Sequence, residues 1–313
     1  MIRRYFIPLY RNLLMAKRDN VLVALFKLTR FEHSIMLVVA VLAAELIAGG
    51  LPIAPILALS LVSPIFNSAG AFAINDYFDV ETDRMNGMVG RPLVSGSLGR
   101  RTAFGVAAFC CFAAVVMSAF INAYAFVIML LFAALSYYYS ARLKDLPLVG
   151  NLYVALSYAI PFVFGAVVVS DSVSPVIWLV FFVALLSGLG REVHGAIRDR
   201  EGDAKTRGTK NIVYHLGEKK SAYFAFVLYA EAIAISEFLF VYKPIGIYTP
   251  FAFNAVYIVP ITVANLALFY VAAKYMTNPT KGFHGLARNL SLGAMALALI
   301  TYLAAVLLPF VPV

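Results

Sequence analysis

The chain has 313 residues, of which 62% are hydrophobic and only 13% charged, with a mean hydropathy of +0.86. Soluble domains average about 25% charged residues, so a single water-facing core is excluded and a membrane protein is indicated. The net charge of +9 comes without any motif for DNA or RNA, so no nucleic-acid partner is expected; it is better explained by basic loops on one membrane face.

Taken in chain order, residues 1–32 form a basic segment carrying Arg3, Arg4, Arg11, Lys17, Arg18, Lys27 and Arg30 among Tyr, Phe and Leu. It lacks the short apolar core and small-residue cleavage site of a signal peptide and reads as an interfacial amphipathic helix. Residues 33–313 form one helical transmembrane domain. Its nine predicted spans fall near 33–50, 54–74, 103–121, 123–140, 152–169, 175–191, 221–241, 249–274 and 290–309. The third and fourth are separated by almost nothing, which predicts a tight turn at Asn122. The fold class expected is all-α, a nine-helix bundle around a central cavity. Adjacent Cys110 and Cys111 lie inside an apolar stretch and read as packing residues, since neighbours in sequence cannot form a disulfide framework.

Nine spans put the N-terminal segment and the loops near 75–101, 141–151, 191–220 and 275–289 on one side. Of the 25 Lys and Arg residues, all but Lys243 fall on that side, counting those at the adjoining span ends. The positive-inside rule then makes the N-terminus and this face cytoplasmic, in a cell membrane. It also forces the two long polar loops, which carry the acidic motifs, onto one face.

The first motif is Asn75-Asp76-Tyr77-Phe78-Asp79-Val80-Glu81-Thr82-Asp83, placed after the second span. On a helix, residues four apart share a face, so Asn75, Asp79 and Asp83 line one stripe with Asp76 beside it. The second motif, after the sixth span, is Arg198-Asp199-Arg200-Glu201-Gly202-Asp203, with Asp199 and Asp203 at the same spacing. Carboxylates gathered in this way repel one another unless cations neutralise them. Hard oxygen ligands suit Mg²⁺, which keeps several waters and binds substrate phosphates through one or two carboxylates. The metal ligands expected are Asn75, Asp76, Asp79, Asp83, Asp199 and Asp203. Arg91, Lys144, Arg198, Lys205 and Lys210 supply positive charge for remaining phosphate oxygens. Such a site fits ionisation of an allylic diphosphate, with the carbocation caught by a nucleophile.

These motifs resemble the UbiA superfamily of intramembrane prenyltransferases, which carry Asn-Asp-x-x-Asp-x-x-x-Asp after helix two and Asp-x-x-x-Asp after helix six. Arg91-Pro92-Leu93-Val94-Ser95-Gly96, the Tyr139–Lys144 run and Pro147-Leu148-Val149-Gly150-Asn151 also match, and the resemblance runs from about Thr29 to the C-terminus. It implies nine helices around a cavity, Mg²⁺ as cofactor, and a polyprenyl diphosphate and a lipophilic acceptor as partners within membrane lipid. It implies catalytic roles for Asp79, Asp83, Asp199, Asp203 and Lys144. It also implies phosphate contacts from Asn75, Arg91 and Lys210. Arg191-Glu192 followed by the second motif resembles archaeal enzymes that alkylate geranylgeranylglyceryl phosphate in ether-lipid synthesis. An aromatic quinone precursor is the alternative acceptor.

Bland roles compete at several positions. Tyr137 and Tyr138 suit an interfacial aromatic belt, while Tyr139 is assigned to the site because an aromatic face stabilises an allylic cation. Arg30 is either an anchor or a phosphate contact, and Asn151 orients a cavity side chain or caps a helix. His194, five residues before Asp199, either faces the cavity near the acceptor or is a packing residue, and Glu45, Glu231 and Glu237 receive no role. A CDP-alcohol phosphatidyltransferase would need a contiguous Asp-Gly-x-x-Ala-Arg run, which is missing. A cation-coupled transporter would place its ionisable groups near the midplane, whereas these lie at span ends.

Overall fold

Lipid offers no hydrogen-bond partner to the backbone, so a chain this apolar satisfies its amides within helices. A computed structural model describes residues 19–206, 212–277 and 281–313, and side chains within 201–206 and at 281 fall outside the description. Ten helices are described: α1 (Val21–Thr29), α2 (Ser34–Ala48), α3 (Ala54–Met85), α4 (Arg100–Ala119), α5 (Ala123–Ala141), α6 (Val149–Val169), α7 (Pro175–Thr206), α8 (Ile212–Val241), α9 (Ala255–Met276) and α10 (Lys281–Leu307). With α1 and α2 taken as one unit, nine segments among the described residues are long and apolar enough to cross a membrane. The expected all-α bundle and its number of spans are both found.

Two boundaries differ from the expectation in an informative way. The second and sixth spans do not stop at residues 74 and 191 but continue as helix to Met85 and Thr206. Each acidic motif is therefore the polar continuation of a membrane helix rather than a loop. Hydropathy finds where lipid ends, while the backbone ladder runs on until a cap stops it. For α3 that cap is Gly87, at φ +68°, whose N–H bonds the Arg84 carbonyl while Met88 N–H bonds the Asp83 carbonyl. The doubled bond turns the chain sharply back.

Consecutive helices pack side by side, and α10 returns to contact α2, so the bundle closes into a ring. Small residues set the closest approaches, as expected where lipid itself is apolar. A Cβ on Gly165 of α6 would lie 2.5 Å from the Val41 carbonyl oxygen of α2, and one on Gly70 of α3 would lie 2.5 Å from Cys111 Sγ of α4. Cys110 and Cys111 are free thiols within this packing. The predicted tight turn sits at Asn122, whose side chain accepts from Ala125 N–H at 2.8 Å and donates to the Val167 carbonyl at 2.6 Å. Residues 1–18 of the basic N-terminal segment lie outside the described residues.

Candidate active site

The motif end of α3 is buried against protein, with Asp76, Asp79 and Asp83 at 1%, 5% and 6% exposure. The expected stripe therefore shifts. Asp76 faces inward with Asp79 and Asp83, at i, i+3, i+7, and Asn75 is half-buried beside them. Charges buried this deeply need partners, and each comes from a different part of the chain. Arg30 Nη2 lies 2.7 Å from Asp76 Oδ1, and Arg91 closes on the same oxygen while standing 3.7 Å from Asp83 Oδ2. Lys144 Nζ bonds Asp79 Oδ1 at 2.5 Å. Asp76 Oδ2 is buried without a hydrogen-bond partner.

Local structure explains how these cations arrive. Arg30 is the C-cap of α1 in the left-handed conformation, φ 46° and ψ 49°, with its guanidinium 4.7 Å from the Phe72 ring. Arg91 reaches back because Gly87 reverses the chain after α3. Lys144 sits in a single 3₁₀ turn between α5 and α6, pressed against Gly150, where a Cβ would lie 3.0 Å from Lys144 Cα.

The second motif is built differently. Asp199 on α7 is 49% exposed and held by its own neighbour Arg198, at 2.6 and 2.7 Å. Arg200 pairs with Glu218 at 2.6 Å. Asp203 and Lys205 fall in the last turns of α7, where side chains are outside the described residues, and Lys210 lies outside them entirely.

A cavity of about 610 Å³ joins the two regions. Arg91, Lys144, Tyr139 and Asn151 line it from one side of the ring, and Arg198 and Asp199 from α7. Tyr139 stacks on Tyr153 with ring centroids 4.5 Å apart, and Asn151 Nδ2 reaches the Glu192 carbonyl at 3.5 Å. Tyr137 and Tyr138 are exposed, as an aromatic belt requires. The sequence pattern singles out Arg191 and Glu192 without giving them a role; both line the cavity as an ion pair at 3.0 Å, with Arg191 also donating to Tyr158 Oη at 3.2 Å. The pattern misses Tyr275, His284 and Arg288, lining residues from the last two helices. The signal for those is weak, since nothing in an apolar helix marks which face lines a cavity.

Among the described residues, no three acidic, histidine or cysteine side chains converge on one point. Mg²⁺ does not require such a cage, because it completes its shell with water and substrate phosphate. The hard oxygen donors of both motifs and the unpartnered Asp76 Oδ2 suit it in kind.

The UbiA prenyltransferase family profile matches residues 36–286. The chain belongs to the UbiA prenyltransferase family. As a UbiA-family protein it is an integral membrane prenyltransferase, and its relatives narrow the comparison. It is 32% identical over 303 residues to the digeranylgeranylglyceryl phosphate synthase of Archaeoglobus fulgidus, covering 94% of this chain and 99% of that one. The protein of the same name from Methanopyrus kandleri is 37% identical over 217 residues, or 68% and 76% of the two chains. A solved structure described as digeranylgeranylglyceryl phosphate synthase in membranes superposes with a TM-score of 0.75 at 27% identity, covering 91% of this chain and 98% of the other. A UbiA homologue of Archaeoglobus fulgidus bound to GPP and Mg²⁺ shares the fold, with a TM-score of 0.61 at 19% identity and coverage of 89% and 99%.

Proposed function

We infer that this UbiA-family chain transfers a geranylgeranyl group from its diphosphate to geranylgeranylglyceryl phosphate, the reaction named for its relatives. The mouth of the site and the N-terminus face the cytoplasm across the cell membrane, in keeping with the one-sided Lys and Arg residues. One observation carries the reading: a single cavity at one end of the ring is lined both by Arg91 and Lys144, the partners of the first acidic motif, and by Arg198 and Asp199 of the second.

Asn75, Asp76, Asp79, Asp83, Asp199 and Asp203 are the residues that would hold Mg²⁺. When bound, the metal draws charge from the departing diphosphate. Arg91, Lys144, Arg198, Lys205 and Lys210 take the remaining phosphate oxygens. Asp76 also holds the guanidinium groups of Arg30 and Arg91 in place through its Oδ1. The allylic C–O bond breaks and diphosphate leaves with the electron pair. The carbocation, facing the Tyr139 ring, is caught by the acceptor hydroxyl oxygen, which loses its proton to water. Asn151 fixes the floor of the cavity through Glu192.

The test uses the purified full chain with Mg²⁺, labelled geranylgeranyl diphosphate and a panel of acceptors: geranylgeranylglyceryl phosphate, 4-hydroxybenzoate and 1,4-dihydroxy-2-naphthoate. The expected product is the doubly prenylated glyceryl phosphate, lost on chelation of Mg²⁺. Folded protein that releases no diphosphate with any acceptor overturns the prenyltransferase reading. Turnover only with an aromatic acceptor overturns the choice of acceptor.

A further inference from the structure

The cavity has a wall that the diphosphate chemistry does not use. Each of four cavity cations holds a carboxylate: Arg91 with Asp76, Lys144 with Asp79, Arg191 with Glu192 and Arg198 with Asp199. Arg288 on α10 lines the same cavity and has no ion pair among the described residues.

Arg288 has company of matching chemistry. His284, one turn earlier and on the same face of α10, also lines the cavity. Its Nδ1 lies 2.9 Å from Tyr275 Oη, which fixes the imidazole against the wall. Tyr275 in turn stacks on His194, with centroids 3.8 Å apart and planes within 8°. His194 is 5% exposed, lines the cavity, and has neither ring nitrogen hydrogen-bonded. A buried polar group without a partner costs about 1–3 kcal/mol, so its retention on a cavity wall points to a ligand that completes it.

We propose that Arg288, His284 and His194 form a metal-free subsite for the phosphate monoester of the lipid acceptor. This deepens the function inferred above and rests on it. Both substrates of that reaction carry a phosphorylated head on a lipid tail, so one cavity must hold two anions without confusing them. The two walls differ in the way this requires. The cations from the loop after α3, the turn before α6 and α7 are paired with carboxylates, which suits a metal-bound diphosphate. Helices α9 and α10 contribute a cation and an imidazole and themselves contain no Asp or Glu, and His194 joins them from α7. This side binds a monoester directly through the guanidinium fork.

The test separates the two substrates kinetically in the detergent-solubilised full chain. Arg288→Gln should raise the KM for geranylgeranylglyceryl phosphate by about ten- to a hundredfold, the worth of a charge-assisted hydrogen bond. It should leave the KM for the prenyl diphosphate within about twofold. The unphosphorylated alcohol, geranylgeranylglycerol, should be used equally by wild type and R288Q, and R288K should recover part of the lost acceptor affinity. His284→Gln gives a second readout with the same acceptor-only direction if R288Q is poorly folded by size exclusion. Equilibrium binding of labelled acceptor without Mg²⁺ completes the experiment. An unchanged acceptor KM, or an equal rise for both substrates, overturns the subsite while the function stands. Wild type that binds the acceptor through Arg288 but transfers nothing to it overturns the function while the subsite stands. Wild type that neither binds nor uses it overturns both.

Discussion

The acidic turns of α3 and α7 share one spacing and are built in opposite ways. On α3, Asp76 and Asp79 are almost fully buried and are neutralised by cations from three separate places: the α1–α2 link, the loop after α3 and the turn before α6. On α7, Asp199 is half exposed and is neutralised by the residue beside it. The first arrangement exists only once the tertiary structure has formed; the second needs nothing beyond its own helix. On the proposed function, the carboxylates of α3 are therefore tied to both stability and chemistry, and Asp199 to chemistry alone.

Substitutions test that difference, and the largest effect is expected on turnover. Asp79→Ala and Asp199→Ala should each lower kcat by about a thousandfold or more, as the loss of a metal-borne charge stabilisation of several kcal/mol implies. Only D79A should also lower the thermal unfolding midpoint in detergent, because it strands Lys144 in a half-buried site. Equal midpoints for the two variants would erase the distinction. Next in size is the double change R30A/R91A, which leaves Asp76 buried without a cation and should cost about 3–5 kcal/mol of stability. Adding D76A should restore part of it; a further loss would show that Asp76 is not the charge being compensated. Gly150→Val comes third. Its side chain pushes on Lys144 Cα, and kcat should fall by about tenfold to a hundredfold with the fold retained, as misplacement of a catalytic group by about 1 Å does. Smallest is Arg200→Ala, which breaks an exposed pair with Glu218 and should shift stability by less than about 1 kcal/mol.

Much of this architecture is legible in the residues alone. The apolar runs set the number of helices, because lipid leaves the backbone a single local solution. The one-sidedness of 24 of 25 Lys and Arg residues is enough to bring both acidic motifs to one end. The partnerships are not legible in the same way. Arg30, Arg91 and Lys144 are 46, 15 and 65 residues from the carboxylates they bind. Periodicity reports which residues share a face but not which distant chain segment covers it. The depth of Asp76 and its pairing with two arginines are likewise tertiary facts. Arg288 and His284 escape notice because a helix that meets lipid on one side and a cavity on the other is apolar enough on both to hide two polar positions.

Helices α3 and α7 each have 32 residues, against the roughly 20 needed to cross the hydrocarbon core. The surplus, about three turns or 16 Å, lies at the motif end of both. The carboxylates therefore stand at the depth of the lipid headgroups rather than among the acyl chains. A substrate seized there by its charged end keeps its tail dissolved in the bilayer from arrival to release. The enzyme then responds to mole fraction within a two-dimensional solvent, and inert lipid added at constant bulk substrate slows it by simple dilution.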